Sequence, residues 1–198
     1  MTGGDDQSFL PGLVPERKRR RPAEPSLHRF FLALKPDPMA AGEACEAALR
    51  LKREYGLAGT PLKPQNFHIS LPLVWDGDDA PADLAETVSA QVHAVRMPAF
   101  EIVLDMAMCF RQSKRYVLVL GTTRSVAHIY GLNRHLVLAT RRGTGKASFM
   151  PHMTLLYADK PVEKQPVEPI RWMAREFVLV HSFVGLGRHE TVARWPLR

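Results

Sequence analysis

The sequence has few of the features that mark secreted, metal-binding or membrane-spanning proteins. Its two cysteines, Cys45 and Cys109, are too few for a disulfide framework, and no closely spaced histidine pair accompanies them to complete a zinc site. No apolar run approaches the roughly 18 residues of a membrane-spanning helix, and the acidic start of the chain does not look like a signal peptide. We therefore predict a cytoplasmic protein that needs no metal and no cofactor and has no membrane partner.

Acidic side chains are also too few to balance the basic ones, so the net charge is +7. Residues 1–26 hold a basic run at 17–21 but nearly as many acidic residues, so most of the surplus lies in the rest of the chain. A basic folded body favours anionic partners such as RNA, nucleotides or phosphate, although solvated charge of this kind also occurs without one. Residues 1–26 show no hydrophobic periodicity and are predicted to be a flexible basic tail, which leaves 27–198 as a single domain.

Hydrophobic patterning in 27–198 alternates between strand and helix periods. Gly56 is expected to end the first helix and Ser125 to cap the third. A Pro-rich link without a predicted element follows the strand at 150–157. Strands are predicted at 28–34, 67–75, 98–110, 115–122, 150–157, 177–184 and 190–195, and helices at 39–55, 82–95 and 125–139.

One short segment occurs twice, about half of the ordered chain apart. Phe67-His68-Ile69-Ser70-Leu71 and Pro151-His152-Met153-Thr154-Leu155 both read histidine, apolar, hydroxyl, leucine. Each copy lies in the second strand of a strand–helix–strand unit. The repetition predicts a duplicated α+β fold.

The repeated segments place a histidine and a hydroxyl on the same side of a strand. Side chains alternate along a strand, so His68 shares a face with Ser70, and His152 shares one with Thr154. If two-fold symmetry relates the halves, both pairs meet at one ligand. Two imidazoles can supply the base and the acid that phosphodiester cleavage needs, and hydroxyls can bind the oxygens that gain charge. This chemistry requires no metal.

A single His-x-Ser/Thr pattern is short and common, and for one copy a packed strand histidine is the better interpretation. Two copies at matching positions reverse that balance. Two other hypotheses remain: a non-catalytic RNA- or nucleotide-binding module, and an unrelated α+β protein in which the repetition is a coincidence.

With these two motifs, and with the opening strand at 29–34, the chain from residue 27 onwards resembles the two-histidine phosphoesterase superfamily. Within it the chain is similar to the LigT-like RNA 2′,3′-cyclic phosphodiesterases, also called 2′-5′ RNA ligases. The resemblance implies a bilobal domain in which the duplicated units form two antiparallel sheets that line a central cleft, with the helices outside. We expect a monomer.

The resemblance also implies the reaction, which opens a 2′,3′-cyclic phosphate to a 2′-phosphate. His68 and His152 would be the catalytic pair, with His152 as the base and His68 as the acid, and Ser70 and Thr154 would bind the phosphate. The substrates would be RNA ends or small cyclic nucleotides. A closely related variant is the reversible joining of RNA ends through 2′-5′ linkages, which the same acid–base pair could catalyse by microscopic reversibility.

One position departs from the family pattern. Many members carry arginine five residues after the second histidine, where this chain has Tyr157. Tyr157, Phe149 and Arg142 are candidate substrate contacts, because aromatic rings stack on bases and a basic loop precedes the second motif. The segment at 143–146 fails the phosphate-loop pattern, since Thr140 and Ala147 occupy the positions where glycine and a hydroxyl are required. Histidines near the closing hairpin, His181 and His189, are interpreted as structural.

Overall fold

The computed structural model describes residues 27–113, 115–141 and 149–198. Within them, a single 3-10 turn at Pro64–Asn66 precedes the first motif. No helix formed by these residues is long and apolar enough to cross a membrane. The strands are β1 (His28–Leu34), β2 (Ile69–Gly77), β3 (Phe100–Gln112), β4 (Arg115–Gly121), β5 (His152–Ala158), β6 (Gln165–Ala174), β7 (Glu176–Phe183) and β8 (Arg188–Pro196), and the helices are α1 (Pro38–Tyr55), α2 (Leu84–Val92) and α3 (Val126–Thr140).

The strands form one eight-stranded antiparallel sheet in the order β6-β3-β4-β5-β2-β1-β7-β8. Each motif strand belongs to a different half, and the halves join where Ile69 of β2 pairs with Met153 of β5. The prediction of an antiparallel α+β fold is confirmed. The prediction of two sheets lining a central cleft is not confirmed, because this short junction joins the two halves into one continuous sheet.

Local signals account for the first helix. The Asp37 carboxylate accepts a hydrogen bond from the Ala40 amide at 2.9 Å, and Pro38 occupies the first turn, where its missing N–H costs nothing. Gly56 ends the helix with φ of 57°, in the left-handed region that glycine enters without strain. The predicted end at Gly56 is therefore confirmed.

Ser125 does not cap the third helix as the sequence predicts. It occupies the N-cap position, but its buried hydroxyl accepts a hydrogen bond from the Val103 amide of β3 at 2.8 Å. Its own amide donates to the Thr122 hydroxyl at 3.0 Å. Ser125 therefore ties the start of α3 to the sheet.

The Pro-rich link contains a strand, β6, that the patterning misses. Pro166 and Pro169 would each remove a ladder hydrogen bond from a central strand. Because β6 pairs only with β3, it is an edge strand, where proline is tolerated. The closing hairpin β7–β8 lies where it was predicted, and Gly185 and Gly187 adopt positive φ in its turn.

Side chains on the two faces of the sheet have different neighbours. Leu32, Leu34, Leu118 and Leu120 belong to the main core together with residues of all three helices. The opposite side of β1 and β7 carries a small apolar cluster made of Phe31, Ala33, Val178 and Val180. We call this second side the site face, because the motif histidines lie on it.

Candidate active site

The junction between the halves brings the two motifs together. Ile69 and Met153 are paired and fully buried in the main core. Continuing this antiparallel register places His68 opposite Thr154, and Ser70 opposite His152, all on the site face. Diagonal neighbours in such a pair are about 7–8 Å apart along the backbone, which leaves room for one phosphate between His68 and His152.

Both motif histidines are held in the same way. Nδ1 of His68 lies 2.7 Å from the Asn66 carbonyl oxygen, and Nδ1 of His152 lies 2.7 Å from the Met150 carbonyl oxygen. A carbonyl can only accept, so each Nδ1 donates, and the proton of the neutral ring is on Nδ1. Nε2 is then the atom of each ring that can take or give a proton during a reaction.

The surroundings of His68 are crowded. Its ring centroid lies 4.9 Å from that of Phe31 and 5.3 Å from that of His189. Burial lowers the pKa of His68 to about 4, the hydrogen bond to Asn66 works in the opposite direction, and positive charge on His189, Lys35 and His152 lowers the pKa further. His68 is therefore neutral at pH 7 in the ligand-free protein.

His152 lies against a different neighbour, Phe110 of β3, whose ring meets it edge to face at 4.9 Å between centroids. The segment before it is fixed by Tyr130 of α3, whose hydroxyl donates to the Phe149 carbonyl oxygen. Phe149 packs against the main core and the Tyr130 ring. Its side chain thus supports the second motif from behind instead of facing a ligand there.

A pocket of about 790 Å³ covers the site face around the first motif. It is open to solvent on one side and takes in residues from both halves of the sheet. His152 and Phe149 are not among the described residues that line it, although the hydroxyl residues of both motifs are. Its lining includes His68, Ser70 and Thr154, together with Arg29, Phe31, Asn66, Gln112, Arg115, Tyr157, Ser182 and His189.

Tyr157 faces the pocket because β5 contains a bulge. Val119 of β4 pairs with Thr154, whereas Leu118 pairs with Leu156, so Leu155 is the extra residue. The bulge reverses the alternation, and Tyr157, opposite Val117, points to the same side as Thr154. Arg115 of β4 lies on this side too, and its Cζ is 3.9 Å from the centroid of the Tyr157 ring.

Several pocket residues escape the sequence analysis. His189 of β8 pairs with Ser182 of β7 and reaches His68, and its buried Nδ1 has no partner among the described residues. Asn66 is buried and donates from its side chain to the Gly187 carbonyl oxygen at 2.9 Å, which links the first motif to the β7–β8 turn. Neither residue belongs to a repeated pattern, so only the three-dimensional pairing of distant strands reveals them.

The described part of the pocket is basic. Burial lowers the pKa of Lys35 and of His189, and Lys35 adds to the effect on His189. Arg29 is paired with Asp76 at 2.8 Å, so part of its charge is balanced. Among the residues that the structure describes, no group of three or more His, Cys, Asp or Glu side chains could hold a metal ion. Arg142 lies outside the described residues.

Comparison with known proteins identifies a family for this chain. The model of a protein family described as the 2′-5′ RNA ligase superfamily matches residues 36–182. The chain belongs to this superfamily. Membership places it among the two-histidine phosphoesterases, and the two copies of the histidine–hydroxyl motif are the feature that the sequence analysis used to predict that membership.

Solved structures agree with the fold. The chain is similar to E. coli LigT complexed with 3′-AMP, with a TM-score of 0.69 and 25% identity over 86% of this chain and 98% of that one. It is also similar to E. coli LigT complexed with ATP, with a TM-score of 0.66 and 26% identity over 86% of this chain and 98% of that one. Kluyveromyces marxianus Usb1 is more distant, with a TM-score of 0.52 and 11% identity over 87% and 99% of the chains. A search of curated proteins finds no match.

Proposed function

We propose that this protein hydrolyses 2′,3′-cyclic phosphate ends of RNA or of nucleotides to 2′-phosphates, without a metal ion. The observation that carries the proposal is the matched pair of histidines on one sheet face. Each is held through Nδ1 by a backbone carbonyl, and each lies opposite the hydroxyl of the other motif. This arrangement can present two proton-transfer groups and two hydrogen-bond donors to one phosphate.

The chemistry follows from these groups. Nε2 of one histidine removes a proton from water while the water oxygen attacks phosphorus. The bond from phosphorus to the 3′ oxygen breaks, and Nε2 of the other histidine gives that oxygen its proton. The Ser70 and Thr154 hydroxyls donate hydrogen bonds to the non-bridging oxygens, where charge accumulates in the transition state. The products are a 2′-phosphate and a free 3′ hydroxyl.

The burial of His68 bears on which histidine is the base. A base must start without its proton, and His68, with a pKa of about 4 in the free site, meets that condition at neutral pH. An acid in the same place must start with a proton, and His68 would gain one only if the negative charge of the bound phosphate raised its pKa. The free site therefore favours His68 as the base and His152 as the acid, the reverse of the order that the family resemblance implies.

Other features support an anionic nucleotide as the ligand. Arg29, Lys35 and Arg115 surround the pocket or its histidines, so a phosphate that enters gains favourable charge contacts. The similar LigT protein has been crystallised with 3′-AMP and with ATP, both of which carry phosphate groups. A pocket of about 790 Å³ is within the usual range for small-molecule sites.

Joining RNA ends through a 2′-5′ linkage is the second candidate function, and the description of the matching family favours it. A 5′ hydroxyl takes the place of water: its oxygen attacks phosphorus, the bond to the 3′ oxygen breaks, and the two histidines keep the roles of base and acid that they have in hydrolysis. Adding an RNA fragment with a 5′ hydroxyl to the hydrolysis assay tests it, since ligation would give a longer product that withstands enzymes specific for 3′-5′ linkages.

The proposal is tested by replacing each motif histidine with alanine and measuring hydrolysis of a 2′,3′-cyclic-ended RNA in the presence of EDTA. We expect H68A and H152A each to lose about 10²–10⁴-fold in kcat, because each removes one proton-transfer step. His93 is the matched control: its Nδ1 also meets a backbone carbonyl, Ala90 at 2.6 Å, but it is exposed at the end of α2. H93A should keep full activity. Wild-type rates in either motif variant, with folding intact by circular dichroism, would contradict the mechanism.

A further inference from the structure

Arg115 and Tyr157 form a pair that the proposed mechanism does not use. The guanidinium carbon of Arg115 lies 3.9 Å from the centre of the Tyr157 ring, a distance at which the cation and the ring attract each other. Both residues are exposed, and both line the pocket that contains His68 and Thr154. The pair is therefore a preformed element of the site face.

The charge of Arg115 is available to a ligand. Among the described residues no carboxylate lies within ion-pair distance of Arg115, whereas five other arginines have such a partner, namely Arg29, Arg124, Arg171, Arg188 and Arg194. Stacking on Tyr157 uses the flat face of the guanidinium and leaves its N–H edge free. That edge fits two oxygens of a phosphate at once.

The Arg115–Tyr157 pair lies close to the histidine–hydroxyl motif of β5. Tyr157 follows Thr154 by three residues along β5, about 7–10 Å at the spacing of a strand. This is comparable with the separation of neighbouring phosphates along an RNA chain, so a phosphate at Arg115 and a reacting phosphate at Thr154 can belong to adjacent nucleotides. A substrate with a second phosphate, one nucleotide away from the reacting one, can reach both places.

We propose that Arg115 and Tyr157 form a subsite for the phosphodiester on the 5′ side of the cyclic end. The arginine binds that phosphodiester, and the tyrosine ring holds the guanidinium in place. The inference rests on the proposed hydrolysis and specifies its substrate class, which is the end of an RNA chain in preference to a cyclic mononucleotide. A mononucleotide offers only the reacting phosphate, so it leaves this subsite empty.

The test compares two substrates, 2′,3′-cyclic AMP and the dinucleotide ApA ending in a 2′,3′-cyclic phosphate, with EDTA present. We expect the wild-type kcat/KM to be higher for the dinucleotide by about tenfold or more, the value of one charge-assisted contact. R115Q should reduce that ratio by about tenfold, mainly by raising KM for the dinucleotide. R115K should restore part of the ratio, because the charge is kept and the stacked plane is lost.

Tyr157 and a remote arginine provide the controls. Y157F keeps the ring and should keep the preference, whereas Y157L should reduce it. Arg171, on the edge strand β6, has the same charge but does not line the pocket, and it pairs with Glu101 at 3.5 Å. R171Q should therefore leave the ratio unchanged.

Two results separate the inference from the function beneath it. If wild type hydrolyses both substrates and R115Q lowers both rates equally, Arg115 contacts the reacting phosphate and the subsite is disproved while the hydrolysis stands. An unchanged ratio in R115Q disproves the subsite in the same way. If wild type hydrolyses neither substrate, the proposed function fails and the subsite fails with it.

Discussion

The two halves of the sheet present the same motif in different surroundings. In both, a histidine donates from Nδ1 to the carbonyl oxygen two residues earlier, and a hydroxyl follows on the same face. His68 is enclosed by Phe31, His189 and the charge of Lys35, whereas His152 lies beside Phe110 and does not line the pocket. The repeat supplies two groups that are chemically alike, and the surroundings of His68 keep that one unprotonated at neutral pH.

The first prediction separates the two histidines by the proton each one moves. A cyclic phosphate with sulfur in place of the 3′ oxygen has a leaving group that needs no acid. With this substrate we expect H152A to recover most of its loss of about 10²–10⁴-fold, and H68A to stay inactive, because His68 acts on the water. The measurement is thiol release by wild type and both variants. Recovery in H68A and not in H152A would restore the order that the family resemblance implies.

The second prediction concerns the stability of the protein against pH. The unfolded chain takes up a proton at His68 below about pH 6.5, but folded His68 stays neutral down to about pH 4. The free energy of unfolding therefore falls as the pH falls from 6.5 to 4, and His68 contributes up to about 3 kcal/mol of that fall. Above pH 6.5 the contribution is constant.

Urea unfolding of H68N and H93N at pH 7 and pH 5 measures this difference. H68N should lose less stability between the two pH values than wild type, although some dependence remains because burial also lowers the pKa of His181 and His189. H93N, at an exposed histidine, leaves His68 and its charged neighbours in place and should keep the wild-type dependence. Equal pH dependence in H68N and wild type would show that His68 is not buried as described.

The sequence predicts which motif residues share a face better than it predicts how the strands are joined. Alternation and repetition place His68, Ser70, His152 and Thr154 on strands and predict their common face, because these are local properties. The strands form one sheet instead of two because Ile69 pairs with Met153, and this pairing joins residues that are distant in the sequence. The bulge at Leu155, which turns Tyr157 into the pocket, and the approach of His189 to His68 follow equally from strand pairing and leave no mark in the sequence.

The smallest predicted effect concerns the contact between the loop at Gly59 and strand β5. The loop before the first motif lies against β5, where a Cβ added to Gly59 would overlap the Tyr157 carbonyl oxygen. G59A must move the loop or the strand, and we expect it to lower the free energy of unfolding by about 1–3 kcal/mol. Gly42 in α1 is the control, because nothing lies within 4 Å of an added Cβ, so G42A should gain about 0.5–1 kcal/mol. Urea unfolding of both variants measures the effects, and an unchanged G59A would show that loop and strand are not in close contact.

The central claim is that two histidines open a cyclic phosphate without a metal ion. Phosphorus NMR of a dinucleotide with a 2′,3′-cyclic end, incubated with the protein in excess EDTA, tests it most directly. The account predicts complete conversion to a single 2′-phosphate at a rate that the chelator does not change. Formation of a 3′-phosphate, or loss of turnover in EDTA that returns with added metal, would contradict it.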